Sequence, residues 1–223
     1  MSQLVNKNQK SYGEQANKYL EYINEHRNNV AIAYRNLFTN PARMLIDSGI
    51  KEVTENIEKI LDRLNDDIEL HDMSKYSDDE FYAYRQKFNM TESEKYEYDT
   101  NDWYQKMIDE NFENAWKHHY CNNYHHPKFW KAVEIIRMDE YGVPVEYIPN
   151  SYLKEDAQDM TVIAILHMIC DWEAMSIKFG GKTTEWYINK AEQERKDMSE
   201  NTRKLIKQIL EYLYDTELPD SVL

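Results

Sequence analysis

Long runs of this chain carry apolar residues every three or four positions with few breakers among them, the pattern of helices that each bury one face. Tyr19, Tyr22, Ile23, Val30, Ala33, Tyr34 and Leu37 form one such stripe, and Met160, Ile163, Ala164, His167 and Asp171 share another. Five glycines and five prolines punctuate 223 residues. β-branched runs are scarce, which also favours helix. The expected fold class is therefore all-α. No candidate linker separates two cores, so one all-helical domain is expected over residues 1–223, with its core at about 13–214.

The pattern predicts helices over about Gly13–Phe38, Ile50–Leu70, Ser77–Phe88, Asn101–Tyr120, Lys154–Phe179, Thr184–Met198 and Glu200–Tyr214. A short helical turn is expected around Ala42–Ile46. Val53, Ile57, Ile60, Leu61, Leu64 and Ile68 make the buried face of the second helix, and His71 continues its phase. Ser77-Asp78-Asp79-Glu80 and Thr91-Glu92-Ser93-Glu94 have capping-box spacing. A further helix is predicted to start at His126-Pro127, with Phe129, Trp130, Val133 and Ile136 on its core face. Tyr141–Tyr152, which contains Gly142, Pro144 and Pro149, reads as a loop and a candidate lid. The tail after Leu218-Pro219 reads as frayed.

The formal net charge of −14 repels a nucleic-acid backbone, which argues against general DNA or RNA binding. A small phosphorylated substrate remains compatible with it, because bound cations and a few lysines invert the field locally. The two cysteines, Cys121 and Cys170, form no CxxC pair. No apolar run reaches membrane-spanning length. A cytoplasmic protein without membrane association is expected, and a homo-oligomer is compatible with the sequence.

Four of the seven histidines, His118, His119, His125 and His126, fall within Ala115–Trp130. Imidazole is a common ligand for Fe, Mn, Zn, Co and Ni. His119 lies on the apolar face with Ile108, Phe112, Ala115 and Trp116, whereas His118 is turned away by about 100°. His26 is in phase with Tyr22, Ile23 and Val30. His71-Asp72 stands where a buried helix face meets a loop, a place that fixes ligands yet leaves an approach for substrate. Asp171 is an acid on an apolar stripe, and a buried carboxylate needs a partner or a metal. His167, one turn earlier, reads as a core histidine, with a supporting bond to Asp171 as the alternative. Trp116, Tyr124, Trp130 and Trp172 have the spacing of core residues, although each could stack on a base.

Taken in order, His26 … His71-Asp72 … His119 … His125/His126 … Asp171 resembles the H…HD…H…H…D pattern of the HD superfamily of metal-dependent phosphohydrolases, which are helical bundles. His71-Asp72-Met73-Ser74-Lys75 is similar to the HDxxK variant of HD-GYP phosphodiesterases and HD-class dinucleoside polyphosphate hydrolases. The phrases AW..H.....HH..(F/Y)W and CDW.AMS.KFG resemble an uncharacterised HD-like family of bacterial and phage proteins, over roughly Tyr19–Tyr187. These resemblances imply two divalent transition-metal ions (Fe, Mn, Zn, Co or Ni). His26, His71, Asp72 and Asp171 would hold one, and Asp72 would bridge to a second held by His119 with His125, His126 or both. His118 replaces His119 if the helix is rotated. Asp72 and Lys75 would be catalytic, with Lys75 offering charge to a phosphoryl oxygen.

The implied activity is hydrolysis of a nucleotide, cyclic nucleotide or dinucleotide by a metal-activated water. Pro127-Lys128-Phe129-Trp130 stands where HD-GYP proteins carry their glycine-rich segment, which argues against cyclic-di-GMP specificity. Two other readings share the same residues: an HD-type di-iron oxygenase of a small polyol or phosphonate, and a non-enzymatic binding protein stabilised by metal.

Overall fold

A computed structural model describes the backbone of residues 2–38, 49–50 and 57–223 and, within these, the side chains from residue 11 onward. In chain order the elements are α1 (Ser2–Phe38), α2 (Ile57–Glu69), a 3-10 turn (Met73–Tyr76), α3 (Phe81–Phe88), α4 (Glu92–Thr100) and α5 (Asp102–Asn122). Then come α6 (Phe129–Ala132), β1 (Val133–Met138), β2 (Pro144–Pro149), α7 (Val162–Phe179), α8 (Thr183–Asn189), α9 (Glu192–Lys196), α10 (Glu200–Tyr214) and a closing 3-10 turn (Asp220–Val222). The fold is all-α, and among the described residues its sheet is the two-stranded hairpin β1–β2. The turn expected at Ala42–Ile46 and the start of the second predicted helix, with Val53, lie outside the described residues.

The chain forms two compact units: Met1–His26 with Asp72–Asn122, and Arg27–His71 with Asn123–Leu223. In the first, α3 and α4 pack on α5. Its core is aromatic: Tyr19, Ile23, Tyr84 and Ala115 are buried, with Phe81, Phe112 and Trp116 against them. The Thr91 capping box forms in full, with Thr91 Oγ1 accepting from the Glu94 N–H at 3.2 Å and the Glu94 carboxylate accepting from the Thr91 N–H at 2.8 Å. Buried Arg85 grips the same carboxylate with two bonds of 2.6 and 2.8 Å. Burial raises the Glu94 pKa, but the bonds from Arg85 and Thr91 outweigh it and hold the carboxyl below its ordinary value. The box expected at Ser77 does not form. Helix α3 begins at Phe81 with no side-chain cap, and the Ser77 hydroxyl donates to the Ser74 carbonyl at 2.7 Å. Glu80 does not reach back to the Ser77 N–H because its carboxylate is engaged by two histidines.

In the second unit the first half of α7 is buried all round, with every residue from Ile163 to Cys170 inside the core. A helix with no polar face belongs in a core. Helix α2 packs on it through the stripe Ile57, Ile60, Leu61, Leu64 and Ile68. The helix predicted from His126 is a correction: α6 spans only Phe129–Ala132, and Val133, Ile135 and Ile136 continue as a strand. Branched side chains favour the pleated backbone once a partner is at hand, and Pro144–Pro149, expected as loop, supplies it with Val133 opposite Pro149 and Glu134 opposite Ile148.

The helix predicted from Lys154 starts at Val162 instead. The stretch before it is tied to β1 by Gln158, whose amide donates to the Val133 carbonyl at 3.0 Å. The helix predicted over Thr184–Met198 divides into α8 and α9. The tail is packed, not frayed: Leu218 and Val222 are buried, and Arg203 donates to the Leu223 carbonyl at 2.6 Å.

Candidate metal centre

In the first unit the candidate donors gather on Asp72. It adopts the left-handed backbone conformation, φ 55° and ψ 24°. Aspartate is among the few non-glycine residues that take it with little penalty. The 3-10 turn starts from Asp72, whose carbonyl accepts from the Lys75 N–H at 3.0 Å. That turn sets the Lys75 ammonium over the Asp72 carboxylate, with Nζ donating to Oδ2 at 2.6 Å. His26 Nε2 stands 3.7 Å from Asp72 Oδ2, and His119 Nε2 stands 3.4 Å from Oδ1.

Aromatic neighbours fix both rings. Tyr22 stacks on His26 with centroids 6.4 Å apart, and Trp116 stacks on His119 at 5.6 Å. Behind His119 lies Glu80, which is fully buried; its two oxygens meet His118 Nδ1 at 2.7 Å and His119 Nδ1 at 2.8 Å. Burial raises the Glu80 pKa, but the bonds from His119, His118 and Ser74 outweigh it, and the net position is below the ordinary glutamate value. Burial, with the charges of Glu80 and Asp72, pushes the hydroxyls of Tyr19 and Tyr84 upward, so both stay protonated.

In the second unit the donors gather on His71. Helix α2 ends at Glu69, and Arg27 caps it by donating to the carbonyls of His71 at 2.9 Å and Glu69 at 2.6 Å. His71 uses both ring nitrogens: Nδ1 is 3.0 Å from His167 Nε2, and Nε2 is 3.8 Å from Asp171 Oδ1. His167 and Asp171 sit one turn apart on α7, so one helix supplies both. The His125 ring centroid is 4.7 Å from that of His71 and 4.4 Å from that of His167, with His126 at 4.3 Å from His125. His71, His125 and His167 each offer a nitrogen within 4.8 Å of the others.

The loop carrying His125 and His126 is pinned at its base. The Tyr124 hydroxyl donates to Asp67 on α2, and the Trp130 indole N–H donates to the Tyr124 carbonyl at 2.8 Å. Burial raises the Asp67 pKa against the opposing bond from Tyr124 and the charge of Arg63.

The His119–Asp72 separation of 3.4 Å matches donors that share a divalent cation, and the 3.7 and 3.8 Å of His26–Asp72 and His71–Asp171 lie just beyond that spacing. Donors about 2.1 Å from one ion lie roughly 3–3.5 Å apart, and an unprotonated imidazole nitrogen facing a carboxylate oxygen is a pair of acceptors that a cation between them reconciles. Mixed nitrogen and oxygen ligation suits Fe, Mn, Zn, Co or Ni.

Of the residues picked out by sequence, the first unit brings together His26, Asp72, Lys75 and His119, and the second His71, His125, His126 and Asp171. His119 is buried, while the His118 side chain is 35% exposed and faces Glu80. His167 is no mere core histidine, since it bonds His71. The contacts of Glu80, of Arg27 and between Asp67 and Tyr124 have no signature in the local sequence, whereas the one-turn spacing of His167 and Asp171 places both on one side of α7.

A model of the family described as "Family of unknown function (DUF5662)" matches residues 15–212, which include every residue of both clusters. No curated protein and no solved structure matches the chain.

Proposed function

The chain belongs to this family of unknown function, and we propose that it is a metal-dependent phosphohydrolase or phosphodiesterase that binds two divalent transition-metal ions, one in each cluster. In this reading His26, Asp72 and His119 hold one ion. His71 through Nε2 and Asp171, with His125 and His126, hold the other, and His167 secures His71 Nδ1. The two ligand sets adjoin in sequence at the His71–Asp72 peptide.

The observation that carries the reading is a repeated one. In each cluster a histidine turns Nε2 toward a carboxylate, at 3.4 Å for His119 and 3.8 Å for His71, while its Nδ1 is held from behind. Ions bound there would lower the pKa of water and neutralise charge on a phosphoryl group. Lys75 is 13% exposed at its side chain, so it can shift from Asp72 to a phosphoryl oxygen when substrate brings negative charge. The net charge of −14 favours a small phosphorylated substrate over a polymer, and the HD resemblance supports a nucleotide, cyclic nucleotide or dinucleotide. Among the described residues no helix is long and apolar enough to cross a membrane.

Elemental analysis of untagged protein, followed by phosphate release from nucleotide panels with Mn or Co, tests the proposal. About two ions per chain with turnover is the expected result. Failure to bind Mn, Fe, Co or Zn would overturn it. Iron with an oxygen-dependent absorbance change would move the assignment to a di-iron oxygenase, and metal-dependent folding without turnover to a binding protein.

A further inference from the structure

Glu80 is a carboxylate buried in an aromatic core at 0% exposure, yet its side chain neither caps α3 nor stands among the donors gathered on Asp72. Burying such a charge is unfavourable unless hydrogen bonds replace its water. The replacements come from Ser74 and from consecutive residues of α5. Side chains one residue apart on a helix diverge by about 100°, so His118 and His119 can share one carboxylate only if it lies in the wedge between them. Glu80, at the start of α3, occupies that wedge, with Oε1 2.7 Å from His118 Nδ1 and Oε2 2.8 Å from His119 Nδ1. Ser74 Oγ also lies 3.2 Å from His119 Nδ1.

An ionised carboxylate can only accept hydrogen bonds. Each Nδ1 therefore carries the hydrogen, and His119 presents an unprotonated Nε2 on the side of Asp72 Oδ1, 3.4 Å away. His118 directs its own Nε2 outward, 3.7 Å from Asp79, whose side chain is 72% exposed.

We propose that Glu80 is the positioning carboxylate of the first centre: it locks His119 as an Nε2 donor, while His118 secures Glu80 and binds no ion. This rests on the metal reading of the Asp72 cluster and extends it to two residues outside the donor set. A carboxylate behind a ligand imidazole fixes its tautomer and strengthens its donor nitrogen. It also accounts for the histidine doublet, since one member ligates and the other anchors the anchor.

The test has two readouts on the full chain. In metal-free protein, side-chain 15N spectra of histidine report which nitrogen of His119 carries the hydrogen. In parallel, Co2+ is titrated into wild type, Glu80→Gln and His118→Asn, with thermal unfolding of each apo protein as the folding control. Glutamine keeps the shape of Glu80 but can accept from only one of the two imidazoles. The expected wild-type result is the Nδ1–H tautomer of His119 and two Co2+ per chain. Glu80→Gln should lose that single tautomer and bind one of the two ions about 10–100-fold more weakly, with the other unchanged and apo unfolding near wild type. His118→Asn should weaken the same ion by less.

Wild-type affinity for both ions in Glu80→Gln would overturn the proposal, as would an Nε2–H tautomer of His119 in the wild type. The latter decides the matter even if Glu80→Gln fails to fold. Wild-type protein that binds no Co2+ while showing the Nδ1–H tautomer lost in Glu80→Gln would sink the metal reading and leave the positioning contact standing.

Discussion

The two clusters follow one plan with different materials. In the first, His119 turns Nε2 to Asp72 at 3.4 Å and is held at Nδ1 by the carboxylate of Glu80 at 2.8 Å. In the second, His71 turns Nε2 to Asp171 at 3.8 Å and is held at Nδ1 by an imidazole, that of His167, at 3.0 Å. The carboxylates differ as well: the Asp72 side chain is 2% exposed and that of Asp171 18%. Water can solvate Asp171, whereas Asp72 needs a protein cation, and Lys75 provides one. A charged backing makes a histidine a stronger donor than a neutral backing does. The first cluster is therefore the drier and more strongly polarised, and under the proposed two-ion reading it should hold the tighter ion. A titration of metal-free protein should show two steps, the tighter one assigned to Asp72.

The largest effects come from removing a carboxylate. Asp72→Asn keeps a side chain that tolerates the left-handed backbone, so its loss is chemical and not conformational. It should abolish the tight step and bring metal-dependent turnover to background. Asp171→Asn should abolish only the weak step. If either substitution removed both ions, the two centres would be one cooperative unit and the comparison would break. Lys75→Met comes next. Turnover should fall about 100-fold, the lower range for loss of one group that stabilises transition-state charge. The tight step should not weaken, because a competing cation has left Asp72. Unchanged kinetics would reduce Lys75 to a partner of Asp72. His167→Gln should then weaken the loose step by about tenfold, at the lower end for a residue that supports a ligand, and leave the tight step untouched.

What the sequence made legible followed strict periodicity. The phase of α5 separates His119 from His118, and the phase of α7 puts Asp171 on an apolar stripe, because a helix fixes direction from local spacing alone. Glu80 was hidden by the same kind of local logic. Three residues after Ser77, it reads as the closing half of a capping box, and the partners that claim it, His118 and His119, lie 38 and 39 residues further on. His167 was hidden because a lone histidine among Ile163, Ala164 and Leu166 reads as core until His71, from a segment 96 residues away, is brought against it. The hairpin was hidden for a similar reason. Val133–Met138 is short enough to suit helix or strand, and its strand partner, not its own pattern, decides.

The smallest predicted effect probes how the second centre is supported. Donors of the first centre come from helices and a 3-10 turn, but His125 and His126 ride on a loop whose base is the Tyr124–Asp67 contact. Tyr124→Phe keeps the ring packed against His167 and removes only the donor. The buried Asp67 keeps Arg63, 3.2 Å away, as its remaining partner. The loss should be about 1–3 kcal/mol of unfolding free energy at neutral pH, the cost of depriving a buried acceptor of its donor. Its pH dependence has a definite sign. Burial already raises the Asp67 pKa and Tyr124 lowers it, so the substitution raises it further. An acid whose folded pKa is raised loses stability as pH climbs through that value. The variant should therefore fall behind wild type most at neutral pH and close the gap as pH drops toward the folded pKa of Asp67. Urea melts of both proteins at several pH values measure that gap directly, and groups common to the two proteins cancel. A gap that stays constant down to acid pH would detach Tyr124 from the Asp67 charge. A gap that closes while only the loose metal step weakens would tie the lower affinity expected of the second cluster to the loop that carries its histidines.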